Sequence, residues 1–249
     1  MPDLSWLTAR PIAHRGLHDA AAGVIENTAS AFTAAIAGGY AIETDVQISA
    51  DGEAMVHHDD ALGRLTEGSE ALARMDAAAL QAVRFKATAE RILTLRELCD
   101  LTAGRTPLVI ELKSRFDGDL RLAARAAEIL AAYKGPAALM SFDPAPIIAL
   151  RNIAPELPRG IVAERHYTHH EWDRLSAAEK VRLAFVLHAP QSRPQFLAYS
   201  VKDLPSPAPW LARHAFGLPL LTWTVRSEHD RQIAARHADQ MIFEGFRPS

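Results

Sequence analysis

Three acids lie in two short apolar stretches: Glu43 and Asp45 in "AIETDV", and Glu111 in "LVIELK". Two residues apart on a strand, Glu43 and Asp45 point to the same face. Carboxylates on core strands are costly to bury as charges unless something pairs them. A hard divalent cation held by oxygen ligands would do so. The alternative is ion pairing, of Glu111 with Lys113 and of Glu43 with a nearby arginine. Cationic and titratable groups recur at the ends of similar runs. "PIAHRG" closes in His14-Arg15-Gly16, and "EAMVHHDD" carries His57 and His58. Neighbours on a strand face opposite ways, so only one of that pair can face the acids. A metal beside two imidazoles and two cations suits cleavage of a phosphate ester. The metal neutralises phosphoryl charge, Arg15 and Lys113 hold non-bridging oxygens, and histidines serve as acid and base.

These residues need elements that bring them to one place. Short apolar runs at Pro11–His14, Ala41–Val46, Leu108–Lys113, Ala138–Phe142, Arg159–Ala163, Phe196–Ser200, Pro219–Val225 and Gln240–Glu244 read as strands. Alanine-rich helical patterns separate them, at 26–39, 118–133, 144–153, 173–189 and 227–238. Strands that alternate with helices imply parallel pairing. Eight such runs in 249 residues have the rhythm of a TIM (β/α)8 barrel, whose active sites sit at the C-terminal ends of the strands. Three acids converging on that rim favour a metal over ion pairing. Asn27-Thr28 reads as a cap before its helix, Gly38-Gly39 ends that helix, and Ser227 with Asp230 reads as a further cap. After Val46, "QISADGEAMVHHDD" reads as a hairpin turning at Asp51-Gly52. Irregular material follows, then a helix from "TLRELCDLT". The expectation is one barrel over residues 1–249 with a small insertion at roughly 59–92. "DLPSPAPW" (203–210) reads as a loop.

Composition narrows the classes. The chain is 49% hydrophobic with a net charge of −3. No Lys/Arg cluster suggests nucleic acid. No apolar stretch reaches the length of a membrane span, and the N-terminus carries no signal-peptide pattern. A lone cysteine, Cys99, suits a reducing compartment, so a cytoplasmic protein without stable membrane association is expected. His166, His169 and His170 read as loop residues, and His214, His229 and His237 as residues on or near helices.

The motifs "AHRG" (13–16), "ENT" (26–28), "ETD" (43–45), "HDDALGRLT" (58–66), "LTLREL" (93–98), "IELK" (110–113) and "TWTV" (222–225) occur in this order. The series resembles that of the glycerophosphodiester phosphodiesterases from His14 to Glu244. The resemblance implies a TIM-barrel hydrolase that splits glycerophosphodiesters into an alcohol and glycerol 3-phosphate with a divalent cation, Mg2+ or Ca2+. It places the catalytic histidines at His14 and His58 rather than His57, and phosphate contacts at Arg15 and Lys113. It places the metal carboxylates at Glu43, Asp45 and Glu111, and a wall for the glycerol moiety at Trp223. Two positions depart from the family pattern: Ile25 stands where proline is common, and Phe243-Glu244 where Thr-Asp is common.

The partner expected is thus a small glycerophosphodiester; oligomeric state, a homo-oligomer included, is left open. Two other readings remain. A lysophospholipase D-type enzyme would keep the chemistry and take a lipid. A non-catalytic phosphodiester-binding barrel would have no reason to keep His14, His58, Glu43, Asp45 and Glu111 together.

Overall fold

The computed structural model describes residues 3–248, the side chain of His170 excepted. Its strands are β1 (Ile12–Ala13), β2 (Ala41–Ile48), β3 (Ala54–Val56), β4 (Leu108–Leu112), β5 (Ala137–Ser141), β6 (Arg159–Ala163), β7 (Phe196–Ser200), β8 (Leu220–Val225) and β9 (Gln240–Phe243). Its helices begin with α1 (Ser5–Thr8), α2 (Ala29–Ala37), α3 (Ala77–Gln81), α4 (Leu95–Thr102) and α5 (Arg121–Ala131). They continue with α6 (Pro144–Ile153), α7 (Ala177–Ala184), α8 (Ala189–Ser192), α9 (Pro207–His214) and α10 (Glu228–His237). All strands but β3 pair in parallel, and β1 joins both β9 and β2, which closes the sheet. This is the expected TIM barrel, with β3 folded back antiparallel on β2 as a hairpin.

Alternation along the strands separates two cores. One set of side chains, including Ile42, Val46, Ile110, Leu139, Ile161 and Leu197, packs under the helices. The alternate set fills the barrel: Ile12, Ala41, Val109, Ala138, Val162, Phe196, Leu221 and Ile242. Leu7 of α1 is also part of this interior, with Trp6 packed against it. Gly160 belongs there too; a Cβ on it would lie 2.3 Å from the Phe196 ring, so only glycine leaves room for that ring. Small residues such as Ala31, Ala35, Ala123 and Ala126 are fully buried and let the helices approach the sheet closely.

Local structure departs from the sequence expectation at three points. Thr28 is the α2 N-cap residue by backbone, but its hydroxyl donates to Ile25 O (2.7 Å). Glu90 caps instead, accepting from Ser30 N (2.9 Å) and Ser30 Oγ (2.6 Å). The helical pattern at 173–189 condenses to α7, which begins after a Ser176–Glu179 capping box. It ends where Val186 takes a φ of 53° and Tyr199 donates its hydroxyl to Ala184 O. "DLPSPAPW" is only half loop, because Pro207 starts α9 at a position that needs no N–H. Segment 59–92 carries its own small cluster of Leu62, Leu72, Leu80, Phe85 and Ile92, which packs with Met55 of β3 and Ile25.

Candidate active site

The inward parity that buries Ile12, Ala41 and Val109 lower in the barrel delivers polar groups at its C-terminal end. Asp45 pairs in register with Glu111 across β2 and β4, so both point the same way, with Glu43 two residues below Asp45. All three acids are buried. One ligand atom from each lies within 4.8 Å of the others, as a single ion would require. Burial, then the charges of Asp45 and Glu111, push the Glu43 carboxyl well above its ordinary range. Asp45 goes the other way, because Lys113, His58 and Arg15 outweigh the effect of its burial. An all-oxygen donor set of this kind fits a hard divalent cation.

The turn after β1 explains its sequence. Arg15 and Gly16 both take left-handed backbone, with φ of 56° and 80°. A Cβ on Gly16 would meet the Ala31 backbone at 2.9 Å, so only glycine lets the turn sit against α2. The left-handed φ of Arg15 costs roughly 1–2 kcal/mol. It aims Arg15 N–H at Glu43 Oε2 (3.0 Å) and brings the guanidinium to Glu26 (2.6 Å) and Asp45 (3.4 Å). Asn27 also takes a left-handed φ, of 57°. Its amide donates to Asp45 Oδ2 (3.0 Å) and accepts from Thr44 (2.7 Å).

Each of two histidines has a carboxylate behind it. His14 Nδ1 lies 2.7 Å from Glu244 Oε2, which also accepts from Arg226 (2.8 Å). The carboxylate only accepts, so Nδ1 carries the hydrogen. Nε2 keeps its lone pair, 3.9 Å from Glu43. Burial pushes the His14 imidazole down to about 4 despite the Glu244 hydrogen bond, so it is neutral at pH 7. His58 Nδ1 lies 2.8 Å from Asp59 Oδ1, and Arg64 holds Asp59 (2.7 Å) and Glu26 (2.6 Å). Burial raises Glu26, but Arg64 and Arg15 outweigh it and hold that carboxyl at about 2. His57 is buried away from the site, its Nδ1 3.0 Å from Asp59 O.

His14, Arg15, Glu43, Asp45, His58, Glu111, Lys113 and Trp223 all line one cavity of about 950 Å3 at the barrel mouth. The ion pairing weighed against a metal is also present. Lys113 Nζ lies 2.7 Å from Glu111 and 2.9 Å from Asp45, and is held well above the usual lysine range despite burial. The opposite wall is aromatic. Phe142 stacks near Trp172 (centroids 4.8 Å) and meets Trp223 edge-on (5.5 Å). Trp223 donates its indole N–H to Ala198 O (3.1 Å). Glu164 also lines this wall, and burial, then Asp203 and Glu171, raise its carboxyl to about 7. His169, read as an ordinary loop residue, reaches the cavity rim.

Sequence reasoning left Glu26, Asn27 (read only as a helix cap), Asp59, Arg64 and Arg226 without roles in the site, and treated Glu244 only as a departure from the family pattern. The quoted motifs "ENT" and "HDDALGRLT" contain the first four, so the signal was in hand. Nothing local marks Arg226, or the pairing of Glu244 with a histidine 230 positions away. Among the described residues no helix is long and apolar enough to cross a membrane.

Comparison with known proteins gives a consistent picture. Residues 14–245 match the model of the glycerophosphoryl diester phosphodiesterase family. A curated relative, glycerophosphodiester phosphodiesterase of Caldanaerobacter subterraneus subsp. tengcongensis, is 38% identical over 113 residues, 41% of this chain and 44% of its own length. The match thus spans less than half of that relative. An Oleispira antarctica phosphodiesterase, solved in complex with the product sn-glycerol-3-phosphate, superposes with a TM-score of 0.76 at 21% identity. That superposition covers 96% of this chain and 94% of the other. A glycerophosphodiester phosphodiesterase from Thermotoga maritima gives 0.69 at 24%, covering 93% and 92%.

Proposed function

Since the chain belongs to the glycerophosphoryl diester phosphodiesterase family, we propose that it is a metal-dependent hydrolase cleaving glycerophosphodiesters to an alcohol and glycerol 3-phosphate. One observation carries this reading: three buried carboxylates within 4.8 Å of one another, flanked by two carboxylate-backed histidines. Glu43, Asp45 and Glu111 would hold the cation, Mg2+ or Ca2+, which when bound neutralises phosphoryl charge. Lys113 and Arg15, now paired with the acids, would turn their donors to the non-bridging oxygens. Trp223 would wall the glycerol side.

His14 is the group suited to take a proton, being neutral with a lone pair on the cavity side. The attacking oxygen is that of water, or of the substrate's own glycerol hydroxyl, in which case water opens the resulting cyclic phosphate to glycerol 3-phosphate in a second step. As it bonds to phosphorus, its proton passes to His14 Nε2. His58, its ring held by Asp59, gives a proton to the alkoxide as the phosphorus–oxygen bond breaks. Glu244 and Asp59 fix the two rings and need not change protonation.

The soluble diester and the cytoplasm are the proposed substrate and compartment, with residues 1–249 acting as one catalytic barrel whose 59–92 insertion supplies Asp59 and Arg64. A lysophospholipase D-type activity is the second reading; the aromatic wall of Phe116, Phe142 and Trp172 favours it, as an acyl chain needs an apolar entrance. The test is release of glycerol 3-phosphate from glycerophosphocholine, and of lysophosphatidic acid from the acylated analogue, each with and without chelator. Metal-dependent turnover of the deacylated diester is expected. Activity that survives both chelation and the double change Glu43→Ala/Asp45→Ala would end the metal role.

A further inference from the structure

Beside the oxygen-only cluster stands a second group of metal-ligating side chains with different chemistry. His14, His18 and Glu244 each place one ligand atom within 4.8 Å of the others. His14 follows β1, Glu244 follows β9, and His18 lies just after Gly16, so closure of the barrel at β1–β9 brings them together. His18 Nε2 is buried with no hydrogen-bond partner among the described residues. A buried imidazole nitrogen without a partner is uncommon, because it gives up water for nothing. Both hydrogen bonds to Glu244, from His14 and Arg226, fall on Oε2, so Oε1 takes part in neither.

We infer that His14, His18 and Glu244 form an inhibitory site for a borderline transition-metal ion, with Zn2+ as the natural probe. Two imidazoles and one carboxylate are the donor set of a three-ligand zinc site completed by water. Mg2+ and Ca2+ prefer all-oxygen ligands, so they belong at Glu43, Asp45 and Glu111, while an imidazole-rich site selects zinc. Arg226 against Glu244 reinforces this choice, because a cation there disfavours an ion that gains little from nitrogen ligands.

Occupancy would stop the proposed reaction, and in this respect the inference rests on the proposed function. Neutral His14 carries its hydrogen on Nδ1. A metal taking Nδ1 leaves that hydrogen on Nε2, with no net proton released by the ring. Nε2 then has no lone pair toward the cavity and cannot accept the nucleophile's proton. The same ring therefore serves as base when free and as ligand when metal-bound.

The test keeps the full chain in saturating Mg2+ and adds Zn2+. Wild type is expected to lose hydrolysis as zinc rises. His18→Ala and His18→Asn are expected to keep the activity without zinc and to need at least about tenfold more zinc for half-inhibition. Co2+ titrated into the Mg2+-loaded protein gives a readout independent of turnover. One visible d–d spectrum per wild-type chain is expected, lost in both His18 variants, whose melting curves confirm folding. Zinc insensitivity of wild type, or identical zinc and cobalt behaviour in the His18 variants, would overturn the site. If the protein hydrolyses no diester in any metal but the His18-dependent cobalt spectrum appears, the proposed function fails and the metal site stands.

Discussion

The two sides of the barrel mouth solve different problems. On the side of β1, β2, β4 and β9, the inward positions carry His14, Glu43, Asp45, Glu111 and Glu244. Each buried charge there has an opposite charge or a hydrogen-bond donor within reach. On the side of β5, β6 and β8, the same positions carry Phe142, Glu164 and Trp223, and the lone acid has no ion-pair partner among the described residues. The charged side is over-determined: each group holds the next, so residue type at each position is forced. The aromatic side needs only apolar area and shape, which several residues could supply. The charged side should therefore govern kcat and the aromatic side KM.

The largest effects are expected from the acids. Glu43→Gln and Asp45→Asn should each lower kcat by about 10^3-fold or more, several kcal/mol of transition-state charge stabilisation. Their stabilities in chelator should differ in sign. Burial and like charge raise the Glu43 carboxyl well above its ordinary range, so glutamine should leave the melting temperature unchanged or raise it. Asp45→Asn strips Lys113 and Arg15 of a buried partner and should cost about 3 kcal/mol. Equal losses of stability in both variants would mean that the acids are not differently compensated.

Next come the histidines. His14→Ala and His58→Ala should each lose about 10^2–10^4-fold in kcat on an alkyl diester. A nitrophenyl leaving group needs no proton, so it should rescue His58→Ala and not His14→Ala. Rescue of His14→Ala alone would reverse the acid and base assignments.

How much was legible in the sequence follows the same division. The eight barrel strands were legible because each is an apolar run bounded by helix signals, and the acids were legible because charge inside such a run is rare. The histidine–carboxylate pair His14–Glu244 was not, because closure of the barrel alone makes it. Nor was the Asp59–Arg64–Glu26–Arg15 chain, which runs between irregular loops whose backbone follows no periodic pattern. Apart from Trp223, the aromatic wall was invisible for another reason. Phe142 and Trp172 are ordinary core-forming types, and only their arrangement around a cavity distinguishes them. Glu90 capping α2 in place of Thr28 is a smaller instance, a contact made 60 residues away.

On the aromatic side, Phe142→Leu should raise KM by about tenfold or less while kcat stays within about threefold, since it removes binding shared by ground and transition states. The KM change should depend on the alcohol carried by the diester. A fall in kcat without a change in KM would place Phe142 with the chemistry and erase the contrast between the two sides.

The smallest effect isolates the acid that has no ion-pair partner among the described residues, only a hydrogen bond from Trp172. Glu164 has a carboxyl raised to about 7 against an ordinary value near 4.5. Between those values the folded protein keeps a proton that the unfolded chain has released, so folding stability falls as pH rises through that window. Below about 4.5 both states are protonated and nothing is lost; above about 7 the loss is complete. Glutamine cannot titrate, so Glu164→Gln should match wild type near pH 4.5 and exceed it near pH 8. Because the side chain is partly exposed, the gain should be about 1–2 kcal/mol, less than the full shift would give. Urea melts of both proteins in chelator at the two pH values measure it. Glu26, Asp59 and Glu244 titrate in the opposite sense at lower pH, but identically in both proteins, so the difference between the curves reports Glu164 alone. Parallel pH profiles would mean that the aromatic wall compensates its acid after all, and that the two sides of the mouth differ in residue type but not in electrostatic design.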